Sequence, residues 1–533
     1  MSDPARDRTR TLIAALTRPS AYDHPVAEVE VIETHISVVL LAGAWAYKIK
    51  KPVDLGFLDF RTLERRRYFC QQELRLNRRL APTLYEDVVP IVEGPDGLRF
   101  GGEGPVAEYA VRMRRFDQAA QLDRQLEAGG LTPADMDEVA AHIAGFHAAA
   151  AVAPADSDWG TPAAVRGPVE ANFTTLRPAL ADTRLAATLE RLEDWAEERA
   201  AALAPVFESR RDAGRVRECH GDLHLSNMAR IGDHIVAFDG IEFAPALRWI
   251  DVVSDSAFLL MDLTSRDRPD LGWRFMNGWL SATGDYDGID VLDWYLSYRH
   301  LVRAKVDAIR LDQPGVEEAE RVRLRGRIER HLSQAEDVCA PRRGALLLTH
   351  GLSGSGKSRL ARRLGAALPA VVLRSDVERK RLHGLAPLES GAPALGRGIY
   401  SAAATERTYG HLEALAGRLL ACGRTVIVDA AFLERARRDR FRALALRHAV
   451  PSVVVATEAP RAILEQRVAR RAAQGHDASD AGVAVLAAQF DQREALAADE
   501  RSEAVIVDTS GTLDFERIDA TIRARIGRYA GLT

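Results

Sequence analysis

Two short stretches of this sequence contain residue types that can do phosphate chemistry. The first, Cys219–Asn227, reads CHGDLHLSN and places a carboxylate five residues before an amide. The second, Gly351–Ser358, reads GLSGSGKS and combines flexible glycines with one lysine and a final hydroxyl. A chain needs only one nucleotide site to move one phosphoryl group. The sequence therefore raises the question of whether the two stretches serve one site or two.

The second stretch fits the pattern G-x-x-x-x-G-K-[ST] at every fixed position. An apolar run at 345–349 predicts a strand before it, and a helix is predicted over 358–368. In such a loop the backbone N–H groups surround a phosphate at the helix N-terminus. The lysine would reach the β- and γ-phosphate oxygens, and the hydroxyl would hold Mg²⁺. The predicted nucleotide-binding residues are Gly351, Ser353, Gly354, Ser355, Gly356, Lys357 and Ser358, with Lys357 also acting in catalysis and Ser358 at the metal.

Polar side chains also follow the next two predicted strands. Asp376 and Arg379 stand in the segment RSDVER, and Asp429 ends the strand of TVIVDAAF. Loops at the carboxyl ends of strands in an open α/β sheet face the ligand crevice. We therefore expect Asp376 and Arg379 to be catalytic residues facing an acceptor hydroxyl, and Asp429 to reach the Mg²⁺ shell.

An arginine-rich helical stretch follows later in the chain. It carries Arg467, Arg470 and Arg471, and the flexible-looking segment Gln474–Asp477 comes directly after it. This composition is typical of a lid whose arginines close on a transferring phosphoryl group. Arg467 and Arg471 are the predicted nucleotide contacts, although a solvated helix face would have the same composition.

The first stretch predicts a separate site with its own lysine. Asp222 would accept or orient a hydroxyl proton, while Asn227 and Asp239 would hold the metal ions that bridge the phosphates. Lys48 lies on the third predicted strand and would pair with phosphates, and Glu73 on the next helix would anchor it.

Three details of this half are left open by the sequence. Lys50 shares a strand face with Lys48, so either lysine could be the phosphate partner. The turn Thr34–Ser37 contains no glycine, which predicts that the usual flexible cover over the phosphates is absent or reshaped. Asp251 and Asp255, four residues apart, are expected on one helix face as structural acids.

The elements that must position these residues differ between the two halves. Alternating apolar residues over 27–53, followed by a helix over 63–80 and strands at 88–92 and 107–113, predict a small antiparallel sheet. Residues 154–168 read as an irregular connection, strand signals return at 215–241, and helices are predicted from about 246 to 337. After 341, continuous apolar strands alternate with helices, which is typical of a parallel sheet buried on both faces.

The motifs resemble two known families of kinases. HGDLHLSN, Asp239 and the lysine-bearing strand resemble the aminoglycoside phosphotransferase and choline kinase group over about residues 25–310. SDVER, VDAAF and the arginine-rich segment resemble small P-loop kinases related to polynucleotide kinase, gluconate kinase and zeta toxins over 344–510. The whole order resembles a bacterial fusion of an aminoglycoside phosphotransferase-like domain with an ATP-binding P-loop domain.

The resemblance implies a two-domain chain that mixes α+β and α/β architecture. A protein-kinase-like domain would span 1–340, with a small sheet lobe over about 25–115 and a large helical lobe over about 116–338. A P-loop NTPase fold, with a parallel sheet between helices, would span 341–533. In the P-loop kinase group the aspartate of S-D-x-x-R is the base toward the acceptor hydroxyl, which corresponds to Asp376.

Composition places the chain among ordinary globular proteins. Of its 533 residues 47% are hydrophobic and 28% charged, as in soluble proteins. No secretory leader is evident, and no run approaches the roughly 18 apolar residues of a membrane span. The four cysteines lie far apart without metal-ligand spacing. These features favour reduced thiols, a cytoplasmic location and no membrane partner.

The two halves carry opposite charge. Residues 341–533 contain 30 basic and 21 acidic residues, which leaves 42 of the 72 basic and 55 of the 76 acidic residues for the first 340. A balance of +9 against −13 suits phosphate-rich ligands in the second half only. Nucleic acid is therefore a possible partner of the C-terminal domain alone.

The sequence thus predicts an ATP- and Mg²⁺-dependent phosphotransferase with two nucleotide sites and small hydroxylated acceptors. Alternatives remain open: the P-loop domain could be an ATPase switch that regulates the first domain, or a nucleic-acid end kinase. A degenerate N-terminal domain used only for binding is a further alternative. The acceptors, the coupling between domains and the oligomeric state do not follow from the sequence.

Overall fold

A computed structural model of the protein describes residues 4–54, 56, 58–181, 184–313, 315–387, 389, 398–474 and 479–530. The chain forms two compact units. The first contains residues 1–174 and 197–262, and the second contains 175–196 and 263–533. Among the described residues, no helix combines the length and the apolar character that crossing a bilayer requires.

The first unit is built on a six-stranded antiparallel sheet with the strand order β1-β2-β3-β6-β4-β5. Two antiparallel pairs, β7 with β10 and β8 with β9, follow it among helices. The elements up to residue 265 are α1 (Pro4–Leu16), β1 (Val29–Glu33), β2 (Ser37–Ala42), β3 (Trp45–Lys50), α2 (Leu63–Asn77), β4 (Tyr85–Gly94), β5 (Gly97–Phe100), β6 (Val106–Arg114), α3 (Leu122–Glu127), α4 (Pro133–Ala149), α5 (Pro162–Leu180), α6 (Ala186–Asp212), β7 (Val216–Glu218), β8 (Met228–Ile231), β9 (His234–Ala237), α7 (Pro245–Arg248), β10 (Trp249–Asp251) and α8 (Val252–Ser265).

The second unit contains a five-stranded parallel sheet with the order β12-β13-β11-β14-β15. Its buried core includes Leu347, Ile427 and Val455 from three adjacent strands. The elements are α9 (Pro269–Thr283), α10 (Ile289–Leu311), α11 (Glu318–Cys339), β11 (Leu346–His350), α12 (Lys357–Ala367), β12 (Val371–Arg374), α13 (Ser375–Leu382), α14 (Ala402–Ala421), β13 (Val426–Asp429), α15 (Arg435–Arg447), β14 (Ser452–Glu458), α16 (Arg461–Gln474), α17 (Val483–Gln492), α18 (Ala498–Glu503), β15 (Val505–Asp508) and α19 (Phe515–Ala530).

Both predicted fold classes are confirmed. An antiparallel sheet lobe followed by helices is the arrangement of the protein-kinase-like fold. A parallel sheet flanked by helices, with the glycine-rich loop after its central strand β11, is that of P-loop NTPases. The boundary near residue 340 stays a prediction, and helices α9 to α11 belong to the same compact unit as the parallel sheet.

Two local expectations are wrong, and one strand has no counterpart among the predicted elements. The connection expected to be irregular over 154–168 already contains the start of α5 at Pro162, where proline fits the first turn of a helix. Asp251 ends strand β10 instead of sharing a helix face with Asp255, and it pairs with Arg210 at 2.6 Å. The short strand β5 was not expected, because four residues give too few alternations to detect.

Helices of the second unit cover the edge of the parallel sheet. Strand β12 is an edge strand, so its outer backbone groups need partners. The side-chain amide of Asn277 in α9 accepts from the Val372 N–H at 2.8 Å and donates to the Ala370 carbonyl at 2.9 Å. The side chain of Asn277 therefore satisfies two backbone groups at this sheet edge, shortly before Asp376 in the chain.

Candidate active sites

The motif at 219–227 forms a loop between β7 and β8. The side-chain amide of Asn227 donates to the backbone carbonyl and to Oδ2 of Asp222, both at 3.0 Å. His224 Nε2 lies 3.4 Å from the same Oδ2. The Asp222 side chain remains 36% exposed, so an acceptor can reach its carboxylate.

A buried aspartate anchors the beginning of this loop. Asp255 accepts the backbone N–H of His220 at 3.1 Å and that of Gly221 at 2.8 Å. His147 is buried and lies 3.1 Å from the same carboxylate. Burial by itself would raise the pKa of Asp255, but the hydrogen bond from His147 and the backbone donors lower it to about 2. Asp255 is thus a charged structural anchor, as the sequence suggested.

Gly221 is required by the backbone of this loop. Its φ is +87°, and a Cβ at this position would lie 2.6 Å from the Leu247 carbonyl oxygen. Side chains other than hydrogen are strained at this φ. The glycine in HGD is therefore dictated by the local backbone.

The predicted lysine, glutamate and second aspartate come together. Lys48 Nζ lies 2.8 Å from Glu73 Oε1 and also donates to Asp239 Oδ1. Burial would lower the pKa of Lys48, but the charges of Asp239 and Glu73 raise it well above its usual value. Among the two lysines on this strand face, Lys48 is the one that contacts the candidate metal ligand.

Lys50 occupies a deeper position next to Lys48. Its Nζ lies 2.6 Å from Glu73 Oε2 and donates to Glu242, and both of those carboxylates are buried. Burial would raise the pKa of Glu73, but Lys48 and Lys50 together lower it to about 2. Glu242 is a residue that sequence reasoning missed, because nothing local marks it as the partner of a lysine 192 positions away.

Asn227 and Asp239 lie at the same end of the β8–β9 hairpin. The Phe238 N–H donates to the Asn227 carbonyl at 2.9 Å, which places the next residue, Asp239, beside the loop. Asp239 has φ +61°, and its N–H donates to the Tyr85 hydroxyl at 3.1 Å. Amide and carboxylate oxygens are ligands that suit Mg²⁺, so these residues fit a hard divalent cation.

The glycine-free turn Thr34–Ser37 is compact. Thr34 N–H donates to the Ser37 carbonyl at 2.9 Å, and the two hydroxyls lie 2.9 Å apart. Lys51 pairs with Glu33 at 2.6 Å and donates to the Thr34 carbonyl. Side-chain hydrogen bonds thus replace the glycines that a flexible phosphate cover would use.

In the second unit, the glycine-rich loop connects β11 to α12. Gly354 and Gly356 have φ of +81° and +89°, and a Cβ on Gly354 would lie 2.9 Å from the Leu464 carbonyl oxygen. Neighbouring elements hold the loop from outside. Ser355 Oγ lies 2.7 Å from Thr457 Oγ1, and the Ser353 N–H donates to Gln489 Oε1 at 2.8 Å. Gly351 also has a positive φ of +147°, where a Cβ would lie 2.6 Å from the Thr457 carbonyl oxygen.

Lys357 lies in a cavity of about 1170 Å³. Its Nζ donates to the Leu352 carbonyl at 2.8 Å. Burial lowers the pKa of Lys357 to about 8, although Asp429 and Asp376 act in the opposite direction. A phosphate bound in the cavity would supply a negative counter-charge for the Lys357 ammonium.

The predicted acidic residues share this cavity. Arg374 and Asp429 are register partners at the ends of β12 and β13, and Asp376 follows two residues after Arg374. Asp429 receives a hydrogen bond from Ser358, and burial raises its pKa. Ser358 and Asp429 can therefore act on one cation, while Asp376 lines the same space.

The predicted arginines also line the cavity but are tied to backbone groups. Arg467 donates to the Thr509 carbonyl at 2.6 Å, and Arg471 donates to the Ala481 carbonyl at 2.9 Å. Arg379 donates to the Ile399 carbonyl at 2.8 Å and is almost fully buried. The expected lid segment 475–477 lies outside the described residues.

Sequence reasoning also missed a group of contacts beside Asp376. Asp480 accepts from the Tyr400 hydroxyl at 2.9 Å and from Lys380 Nζ at 3.2 Å. Glu378, inside the SDVER segment, accepts from the Tyr286 hydroxyl at 3.1 Å. These partners lie 80 to 100 residues apart, so no local signal could have found them.

Comparison with known proteins gives a family match and relatives of similar length. The AAA domain family matches residues 346–496. The "Uncharacterized protein Rv2004c" of Mycobacterium tuberculosis is 31% identical over 469 residues, which covers 87% of this chain and 91% of that protein.

Two solved structures are each similar to part of this chain. A choline/ethanolamine kinase family protein from Mesorhizobium loti is 14% identical, with a TM-score of 0.37 over 62% of this chain and 99% of that one. A gluconokinase from Sinorhizobium meliloti is 21% identical, with a TM-score of 0.25 over 36% of this chain and 95% of that one.

Proposed function

This chain belongs to the protein family of Rv2004c from Mycobacterium tuberculosis, and we propose that it is an ATP-dependent phosphotransferase with two nucleotide sites. The kinase-like folds of both halves support phosphotransfer in general. The observation that carries the two-site proposal is that each compact unit holds its own lysine and its own acidic residues. These sets are Lys48, Glu73, Asp222, Asn227 and Asp239 in one unit, and Lys357, Ser358, Asp376 and Asp429 in the other.

At the first site, Lys48 would bind phosphate oxygens and Asp222 would accept the proton of an acceptor hydroxyl. Asn227 and Asp239 would hold Mg²⁺, which when bound neutralises charge on the transferring phosphoryl group. The exposed carboxylate of Asp222 supports this role, because its amide neighbour fixes one oxygen while solvent reaches the side chain.

At the second site, the glycine-rich loop and Lys357 would bind the phosphates. Ser358 and Asp429 would hold Mg²⁺, and Asp376 would be the base toward the acceptor. Arg379, Arg467 and Arg471 line the cavity, where guanidinium groups stabilise charge that develops during transfer. The partners we expect are small hydroxylated compounds.

Nucleotide stoichiometry tests the two-site proposal. Titration of the full chain with a non-hydrolysable ATP analogue and Mg²⁺ should give two sites per chain. Lys357→Ala and Lys48→Met should each leave one site, and the double variant none. Mass spectrometry of acceptor mixtures, with Asp222→Ala and Asp376→Ala, then assigns products to sites. If both single lysine variants still bind two nucleotides, the proposal is wrong.

A nucleic-acid end kinase is favoured by one specific observation. Besides Arg467 and Arg471, the cavity is lined by Arg359, Arg362, Arg363, Arg437 and Arg470. Contacts of this kind to phosphates make binding fall steeply with salt. Affinity for single-stranded RNA or DNA that is the same at low and high salt would exclude this alternative.

The same variants separate the two-site proposal from an ATPase switch. An ATPase switch would hydrolyse ATP without any acceptor, and Lys357→Ala would then abolish transfer at Asp222 as well. Independent transfer by the two sites would contradict a switch.

A further inference from the structure

Five buried or half-buried charges form a continuous row that begins in the first site and extends beyond it. Carboxylates and ammonium groups alternate along it, and each lysine contacts two acids. The row contains three acids and two lysines, so it leaves an excess of negative charge on which a cation can act. In order, its members are Asp239, Lys48, Glu73, Lys50 and Glu242.

Both ends of this row belong to one short loop. Asp239 and Glu242 are three residues apart after β9, and Lys48 and Lys50 are two residues apart on β3. Strand β3 therefore holds the loop at two points, through Lys48 with Asp239 and through Lys50 with Glu242.

The two ionic contacts differ in exposure. Asp239 is 44% exposed and Lys48 12%, whereas Glu242 is 5% and Lys50 2% exposed. The Lys50 ammonium also lies 5.1 Å from the centre of the Phe60 ring, which closes it off further. A ligand can therefore reach the outer contact but not the inner one.

Occupation of the site would disrupt the outer contact. Phosphate oxygens compete for Lys48, and a divalent cation competes for the carboxylate of Asp239. The inner contact, between Lys50 and Glu242, would still hold the loop to β3. Asp239 has a φ of +61°, in the left-handed region where aspartate is enriched among residues other than glycine.

We propose that Lys50 and Glu242 form an ionic clasp that positions Asp239 for a divalent cation while nucleotide occupies Lys48. The clasp residues contact neither ligand, so they are positioning residues. This inference rests on the proposed nucleotide site in the first unit. It also assigns different roles to the two neighbouring lysines: Lys48 binds the ligand, and Lys50 holds the loop.

The test uses the full chain carrying Lys357→Ala, so that the first site alone binds nucleotide. The affinity for the ATP analogue AMP-PNP is measured with Mg²⁺ and, separately, with EDTA. Lys50→Met should weaken binding in Mg²⁺ about 10- to 100-fold, the usual cost of losing a partner outside the first coordination shell. Binding in EDTA should not change. Arg166→Met, which breaks an exposed ion pair with Glu170 on helix α5 of the same unit, is the control and should change neither value.

The double variant Lys50→Met with Glu242→Gln separates a clasp from simple charge balance. It removes one positive and one negative charge, so the row keeps its net charge but loses the link. Mg²⁺-dependent affinity should remain weak in the double variant, and thermal unfolding should show that it is folded. If Lys50→Met alone does not fold, Glu242→Gln and the double variant supply the same comparison.

Three results would overturn the clasp. If Mg²⁺-dependent affinity recovers in the double variant, the effect of Lys50→Met is one of charge balance. If Lys50→Met weakens binding equally in EDTA, Lys50 contacts the phosphates directly. If Lys50→Met leaves the affinity unchanged, Lys50 has no role in binding. A Lys357→Ala parent that binds no nucleotide would overturn the proposed first site itself, and the clasp with it. That failure is recognised before any Lys50 variant is measured.

Discussion

The two candidate sites are built from different chemical groups: dispersed charged side chains in the first, and a contiguous glycine-rich loop in the second. The first collects charged side chains from β3, α2, the loop before β8 and the loop after β9, and these segments are up to 191 residues apart. The second is centred on eight consecutive residues, of which Ser353, Gly354, Gly356, Lys357 and Ser358 line one cavity. A site of side chains depends on buried ion pairs, whereas a site of backbone depends on the conformations that its glycines allow.

The two lysines show the same contrast in their electrostatics. Burial acts on both, but Asp239 and Glu73 raise the pKa of Lys48 far above its usual value, while the pKa of Lys357 falls to about 8. Lys48 already has its counter-charges within the fold. For Lys357 the bound nucleotide would supply the counter-charge. Nucleotide binding should therefore change the protonation of Lys357 more than that of Lys48.

The largest effect on stability is expected from Glu73→Gln. The variant leaves Lys48 and Lys50 buried without their shared carboxylate, and breaking a buried pair in this way costs about 3–5 kcal/mol. Chemical denaturation of the first unit's transition measures it, with Glu64→Gln on the exposed face of the same helix as control. A loss no larger than that of the control would contradict the view that this site depends on its buried charges.

Lys357→Ala should have the largest effect on chemistry at the second site. Removing one preorganised donor from a transferring group costs about 10²- to 10³-fold in turnover. The loop itself should persist, because its serines are held by Thr457 and Gln489. Steady-state ATP turnover in an Asp222→Ala background measures the loss, and Arg461→Ala on the exposed start of α16 should retain full turnover. Equal turnover in both variants would exclude Lys357 from the reaction.

Glycine substitutions compare the backbones of the two sites directly. Gly221→Ala and Gly354→Ala each combine a positive φ with a close carbonyl oxygen, so each should destabilise its unit by about 1–3 kcal/mol. Gly232→Ala has a φ of +61° but no atom within 4 Å of its Cβ, so it should cost only about 1 kcal/mol. Denaturation midpoints of the three variants give the ranking, and a Gly232 variant that is the least stable would refute it.

The smallest expected effect is the uptake of a proton when nucleotide binds at the second site. Between pH 8 and its ordinary value near 10.5, Lys357 is largely neutral in the free protein. A bound phosphate favours the ammonium form, so nucleotide binding in this window should take up a proton. Calorimetry at pH 9 in two buffers of different ionisation enthalpy measures the uptake. Lys357→Arg, which keeps its charge, should show none from this position, and uptake of the same size in that variant would assign the proton elsewhere.

Local sequence patterns were sufficient to predict the site where its residues are contiguous in the chain. The glycine-rich loop, the strand before it and the helix after it were predicted within a residue or two, since Gly351–Ser358 must lie between them in any fold. The strands of the antiparallel sheet also followed from alternation, and β5 was missed because it is only four residues long.

The sequence by itself determined which residue types are available and that the chain has two architectures. It paired Asp222 with Asn227 and Lys357 with Ser358, because these lie within a few residues of each other. Only the tertiary structure decided that Lys48 contacts Asp239 while Lys50 turns to Glu242. Two lysines on one strand face are equivalent in sequence. Their roles separate only when packing gives one an exposed partner and buries the other.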